Sequence, residues 1–329
     1  MSIRAVRGVL TLTFAATLFT GPPVSRVEAQ TQTPIRVFSG FPPGGAVDAL
    51  ARVFGERLGE ALGRPVVVEN RSGAGGQIAI DAMRAAAADG STLLVAPDAN
   101  ISVYPHTVRT PAYDPRTEIA AVAHLGRYDI ALAVGAAVPV SDLKGYLAWV
   151  KEDRSRGSYG SASAGSPLHF LGLMLGAATG VPLTHVPYRG VGPALADAAG
   201  GQVPAVMLPL GTMTAQARAG KLRLLAHAGA RRNPVAPDVP TFAEAGFPTL
   251  QVDGWFGLFA PGGTRPDVVN RYNEIIQQAS RQPAVRERLR ALDLDFREMS
   301  AADFRAFINA DYERWGPVIR ASGFSAESN

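Results

Sequence analysis

The sequence predicts an α/β protein of two domains, each a parallel sheet covered by helices. Three observations carry this reading. Apolar residues alternate along the chain between a strand-like period of two and a helix-like period of 3.6. The two kinds of run follow one another singly, as β-α-β-α-β, which requires crossover connections between parallel strands. The chain has 329 residues, and about 300 of them follow an export signal, a length that suits two domains of ordinary size.

The signal comes first. Arg4 and Arg7 precede an apolar run from Val9 to Phe19, and Val27-Glu28-Ala29 offers a small-residue cleavage site before Gln30. That run is too short to span a bilayer, and no later segment is long enough. Residues 1–29 are therefore expected to be cleaved, placing the mature protein in the periplasm without stable membrane insertion. Removing them lowers the formal charge from +4 to about +2, because three arginines and one glutamate leave. This is too little for a general nucleic-acid surface, and no basic run interleaved with aromatics appears. The sequence has no cysteine, which excludes disulfides, thiolate metal sites and a lipoprotein anchor.

The first strand is Ile35–Ser39. A helix from about Asp48 places Leu50, Val53, Phe54, Leu58, Ala61 and Leu62 on one face and stops at Gly63. Pro65–Glu69 reads as a buried strand, the glycine turn Gly73–Gly76 leads into an alanine-rich helix to Ala88, and Thr92–Ala96 is the third strand. A second unit begins near Ile130–Val134, followed by a helix over Leu143–Glu152, a strand at Ser158–Gly160 and a serine-rich turn. Ser166 as N-cap and Pro167 at the first helical position open a helix to about Ala178. Thr184–Val186 is a short strand, Pro193 opens a helix, and Val203–Leu208 and Leu222–Ala228 are strands. Thr241-Phe242-Ala243-Glu244 has the pattern of a capping box. The end of the chain holds one strand, Trp255–Ala260, then helices over Pro266–Ser280, Pro283–Leu292 and Ala301–Ser322. One strand with three helices is too little for a third sheet, so this segment is expected to return to the first domain. The domains are then 30–130 plus 250–329, and 131–249, with two chain crossings near 130 and 250.

Four helix starts share small residues: Gly44–Asp48, Gly73–Gln77, Ser161–Pro167 and Gly190–Pro193. In open parallel sheets, ligands bind outside the carboxyl ends of the strands, where such turns collect. Unpaired N–H groups and the positive end of each helix dipole favour an anion there. Tight turns alone explain any single one of these segments; four in register suggest a cleft rich in donors. Asp48 is the discordant residue, a carboxylate in the first turn of an anion-binding helix. It is expected to act by ordering water molecules that donate to the ligand.

Enzyme and metal readings are weaker. Ser163 lacks the first glycine of a nucleophile elbow, since Ser161 stands there, although an exported hydrolase using Ser163 with His169 or His185 is the alternative from another class. The five histidines are scattered, without a His-Glu-x-x-His pattern. Gly73-Ala74-Gly75-Gly76 matches neither the dinucleotide fingerprint nor the P-loop, so no cofactor and no metal are expected. Trp149, Trp255 and Trp315 read as core or interface residues.

The chain resembles the substrate-binding receptors of the tripartite tricarboxylate transporter family, the Bug receptors. The resemblance is carried by Phe41-Pro42-Pro43-Gly44-Gly45 with Asp48, Val68-Glu69-Asn70-Arg71, Asp89-Gly90-Ser91-Thr92-Leu93 and Tyr159-Gly160-Ser161 with Gly165-Ser166. His185-Val186-Pro187-Tyr188-Arg189-Gly190, Val239-Pro240-Thr241 and Ala260-Pro261-Gly262-Gly263-Thr264 extend it over nearly the whole mature chain. It implies a type II periplasmic-binding-protein fold, in which two α/β domains close on a small solute at a hinge. It also implies ligand contacts from Gly44, Gly45 and Asp48 on one side and Ser161, Ser163 and Ser166 on the other, with Tyr188 and Arg189 bordering the cleft. Pro204 stands where the family commonly has aspartate, and Leu208-Pro209-Leu210 replaces a more polar stretch. The resulting expectation is a monomeric, non-enzymatic receptor that binds a small organic acid and delivers it to integral-membrane transporter subunits. A sensor subunit serving a signalling partner is the alternative within binding proteins.

Overall fold

A computed structural model describes residues 33–328, so the expected export signal at 1–29 lies outside the described residues. The strands are β1 (Ile35–Ser39), β2 (Val66–Asn70), β3 (Thr92–Pro97), β4 (Ile119–Gly135), β5 (Ser158–Ser161), β6 (Thr184–Pro187), β7 (Ala205–Pro209), β8 (Leu222–His227) and β9 (Asp253–Pro261). The helices are α1 (Ala46–Leu62), α2 (Gln77–Arg84), α3 (Tyr104–Thr107), α4 (Leu143–Glu152), α5 (Pro167–Thr179), α6 (Val191–Ala199), α7 (Leu210–Arg218), α8 (Pro266–Ser280), α9 (Pro283–Ala291) and α10 (Ala301–Ser322).

The strands form two arrays that share β4. In the first, β2, β1 and β3 are parallel, β9 runs antiparallel to β3, and β4 pairs antiparallel to β9. In the second, β6, β5 and β7 are parallel, β4 runs antiparallel to β7, and β8 pairs antiparallel to β4. Each array thus has the same order: three parallel strands, one reversed strand, one more. The parallel pairs exist because α1, α2, α5 and α6 supply the crossovers that such pairing demands.

β4 begins eleven residues before the strand expected at Ile130. Its Ala-, Val- and Leu-rich sequence is buried almost throughout, so no alternation marks it. Register shifts between Ala121 and Ala123 and between His124 and Gly126 blur its period further. The helix expected to reach Ala88 stops at Arg84, and the chain turns through Asp89, whose carboxylate accepts the Ser91 N–H at 2.8 Å. Ala99–Thr107, to which the sequence reading assigns no element, is helical. The Thr241–Glu244 capping box forms, with reciprocal bonds of 2.9 and 3.0 Å, but only turns follow it.

The register fixes where the strand ends meet. Pro97, the last residue of β3, lies opposite Phe256, which lies opposite Gly126. Pro209, the last residue of β7, lies opposite Ile130. The carboxyl ends of both parallel sets therefore approach one short stretch of β4 from opposite sides, about 13 Å apart along the strand.

Two cores flank the first array and two the second. Leu50, Phe54, Leu93 and Ile276 fill one face of the first sheet, and Phe38, Trp255, Phe259 and Phe304 the other. Tyr146, Tyr159, Phe170 and Leu171 fill one face of the second, and Ala194, Val206 and Leu208 the other. α10 serves both arrays. Phe304 and Ile308 pack in the first, whereas Trp315 and Ile319 pack with Phe170 in the second. Helix α5 approaches so closely that a Cβ on Gly172 would lie 2.2 Å from the Tyr159 ring, which is pinned by its 2.6 Å bond to the His169 carbonyl. Gly172→Ala is expected to cost about 1–3 kcal/mol in a thermal melt. Gly192→Ala on α6, which meets nothing within 4 Å, should be neutral or stabilising by up to about 1 kcal/mol.

Candidate functional site

Each helix start in question follows a parallel strand at its carboxyl end. β1 feeds the turn before α1 and β2 the turn before α2; β5 and β6 do the same for α5 and α6. Within each array the two turns are tied together. A Cβ on Gly40 would lie 2.7 Å from Gly76 Cα, so only glycine lets these two backbones touch. In the second array the strand pairing continues past its end, with Tyr188 N–H donating to Ser161 O at 2.9 Å and Gly190 N–H to Ala162 O at 2.8 Å.

Gly44 and Gly45 are exposed, and no side chain caps α1, so its first N–H groups stay open. Asp48 is 4% exposed. Its Oδ2 accepts from Gly44 N–H and Arg52 Nε, each at 3.0 Å, and its Oδ1 accepts from Arg52 Nη2 at 3.0 Å and Asn70 Nδ2 at 2.9 Å. The hydrogen bond from Arg52 is the largest cause holding this carboxyl down at about 2; burial opposes it, and Gly44 and Asn70 assist. The four bonds use the acceptor positions of the carboxylate. This differs from the water-ordering role expected from the sequence: Asp48 braces the Phe41–Gly45 turn and neutralises itself against Arg52. Asn70 also donates to Phe41 O at 3.0 Å, closing the turn from below. In the second turn, Asn100 Nδ2 holds Gly75 O at 2.8 Å.

The serine turn has a different support. Ser161 is buried, its hydroxyl donating to Ser163 O at 3.1 Å and lying 2.7 Å from His185 Nε2. Ser166 occupies the N-cap position of α5, but its hydroxyl donates to Ser163 O at 2.9 Å and accepts from no N–H of the helix. The N–H groups that open α5 are therefore not taken by it. Ser163 is exposed at the tip. Tyr188 lies over Gly160 and donates to Asp197 Oδ2 at 2.9 Å; burial, with Asp197 assisting, pushes its hydroxyl up to about 12. Arg189 is exposed and makes no ion pair among the described residues.

This arrangement does not build a hydrolase. The serine that meets a histidine is Ser161, not Ser163, and it is sealed beneath the turn. Burial, followed by the neighbouring His169, lowers His185 to about 3, far from the range of a general base at neutral pH. Trp255 is fully buried and donates from Nε1 to Asp311 at 3.0 Å, which makes it a core residue. Among the described residues no group of three His, Cys, Asp or Glu side chains is placed to hold a metal, and no helix is long and apolar enough to cross a membrane.

Sequence reasoning missed the supports: Arg52, Asn70, Asn100, His169 and His185. The i,i+4 spacing of Asp48 and Arg52 was a readable signal. Asn70 and His185 depend on strand register, Asn100 on how the helical segment after β3 packs, and His169 on a contact with Gly165 four residues before it.

The chain is similar to known proteins over nearly its whole length. Residues 50–324 match the model of the tripartite tricarboxylate transporter family receptor. The protein BugT of Bordetella pertussis is 33% identical over 311 residues, covering 94% of this chain and 95% of BugT. Among solved structures, MatC from Rhodopseudomonas palustris with bound malate is 31% identical with a TM-score of 0.77, covering 87% of this chain and 98% of MatC. R. palustris Rpa4515 with adipate is 30% identical with a TM-score of 0.81, covering 89% of this chain and 99% of that one. The fold is accordingly the two-domain α/β fold of periplasmic binding proteins. The chain belongs to the tripartite tricarboxylate transporter receptor family.

Proposed function

We propose that this receptor binds a small organic dicarboxylate between its two domains and presents it to membrane transport subunits. One observation carries the reading. The carboxyl ends of both parallel sets converge on residues 126–130 of β4, which supports a common space for the open N–H groups of α1 and α5. Malate and adipate, the ligands of two similar structures, are both dicarboxylates, which supports a ligand with an acid group for each side.

Gly44 and Gly45 offer backbone donors to one carboxylate, with Asp48 holding their turn in place. Ser163 and the N-terminus of α5 serve the other, Ser161 and Ser166 shape that turn, and Tyr188 and Arg189 border it. The domains are 30–130 plus 250–329, and 131–249. β4 changes partner from β9 to β7 between Asp129 and Ile130, and β9 begins at Asp253, which supports crossings at these two points. The ligand favours the closed state because only closure brings both sets of donors onto it. The mature protein acts as a periplasmic monomer after loss of residues 1–29.

Thermal unfolding of the protein from Gln30 onward, against malate, adipate, other dicarboxylates, amino acids and aromatic acids, tests this. A ligand at about 100 times its Kd adds roughly 2.7 kcal/mol and raises the midpoint by a few degrees. A panel in which no anionic solute moves the midpoint would sink the reading.

A further inference from the structure

The Ser161–Ser166 turn rests on two imidazoles. His185 lies on β6, paired with Tyr159 of β5, two residues before Ser161. Because the Ser161 hydroxyl spends its proton on the Ser163 carbonyl, it accepts from His185, which therefore carries its proton on Nε2. His169, in the first turn of α5, accepts the Gly165 N–H at Nδ1 over 3.1 Å, so that nitrogen carries none. The two rings stack with centroids 3.9 Å apart. Tyr159 is the other titratable group against them, its ring 5.3 Å from that of His185 and its hydroxyl donating to the His169 carbonyl. Phe170 and Phe324 close over His169, and no charged side chain pairs with either imidazole among the described residues.

We propose that His169 and His185 are positioning residues for the ligand: as a stacked neutral pair they set the shape of the serine turn, and a proton on His169 Nδ1 releases it. This rests on the dicarboxylate-receptor reading. The bonding roles force the state. A protonated His169 would turn its Nδ1–H toward the Gly165 N–H, and two cations stacked at this distance repel. Burial lowers His169 to about 4, so the pair stays neutral through the physiological range. The sign follows. The unfolded chain binds these protons below about pH 6.5, so the stability contributed by the neutral rings is intact above that pH and is lost as pH falls toward 4.

Titration calorimetry with malate and adipate, from pH 8 to pH 4, tests the proposal on the protein from Gln30 onward. Below about pH 5 wild-type affinity should fall by more than protonation of the ligand's own carboxylates accounts for. His169→Asn keeps an acceptor near the Nδ1 position and takes no proton, so it should bind normally at pH 7.5 and weaken in acid only as far as protonation of the ligand requires. His185→Gln keeps the donor and should bind normally. His169→Leu and His185→Leu should weaken binding at pH 7.5 by about tenfold or more. Leucine variants that bind as tightly as wild type overturn the proposal and leave the receptor reading intact. A wild-type protein that binds no acid of the panel overturns both. Should the leucine variants not fold, nitrogen NMR of the wild-type imidazoles decides: a proton on His169 Nδ1, or none on His185 Nε2, overturns it.

Discussion

Replacing Trp315 by alanine is expected to destabilise the protein by about 3–5 kcal/mol, the cost of emptying a large buried aromatic site. Trp315 is 1% exposed and packs 5.9 Å from the Phe170 ring, so it fastens the C-terminal half of α10 to the core of the second array. The amino-terminal half, with Phe304 and Ile308, stays in the core of the first array. Urea denaturation should show the midpoint falling accordingly. The two fully buried tryptophans give an internal control. Among the described residues Trp315 Nε1 has no hydrogen-bond partner, whereas Trp255 Nε1 donates to the Asp311 carboxylate. Trp315→Phe therefore loses packing alone. Trp255→Phe also loses a hydrogen bond to a charged acceptor, worth about 1.5–3 kcal/mol. Equal costs for the two phenylalanine variants would contradict this assignment.

Asp48→Ala is expected to have the largest effect on binding among single changes in the first-array turns. It strips one acceptor group from Gly44, Arg52 and Asn70 at once. Half-exposed Arg52 recovers its hydration, so the stability loss is held to about 1–3 kcal/mol. The turn that presents Gly44 and Gly45 loses its brace, and affinity for a dicarboxylate should fall about tenfold or more. The pH dependence has a definite sign. The folded carboxyl, held at about 2, lies below its ordinary value of 3.8, so its contribution is complete above that value and is lost as pH falls through 2. Acid denaturation of Asp48→Ala should therefore lack roughly 2 kcal/mol of the wild-type loss between pH 4 and pH 2. Asp48→Asn does not restore function, because its amide would turn N–H groups toward the Arg52 guanidinium or the Gly44 N–H. Calorimetry showing unchanged affinity in Asp48→Ala would remove the brace from the site.

Much of the fold was legible because local chemistry decided it. β1 and the helices α8 and α10 stand at the bounds read from apolar period, Pro and Gly. β4 was only half seen. A strand buried on both faces and interrupted by register shifts has no period to find. The period of α10 revealed an apolar stripe but not that its two halves serve different cores, since a helical face does not name its partner. The same limit applied at the site. The glycine and serine turns were visible from composition, whereas the bond from His185 to Ser161 joins β6 to β5 and that from Asn70 to Asp48 joins β2 to α1, between residues 24 and 22 positions apart. Asp48 was visible, but its role could be judged only once four donors were seen around it.

The sharing of β4 bears on how such receptors can be recombined. Residues 119–129 complete the first array and residues 130–135 complete the second, so one uninterrupted strand is counted twice. Neither domain is a separable cassette. A chimera that exchanges a segment cut at 130 divides a ladder in mid-strand and joins two strand halves of different parentage. One that exchanges residues 136–252 leaves β4 and β9 with the recipient and transplants the serine turn, its two imidazoles and α6 as a set. The tail beyond Arg314 must travel with that segment, because Trp315, Ile319 and Phe324 pack in the donor's core. The second array is thus carried by two pieces of chain that are distant in sequence.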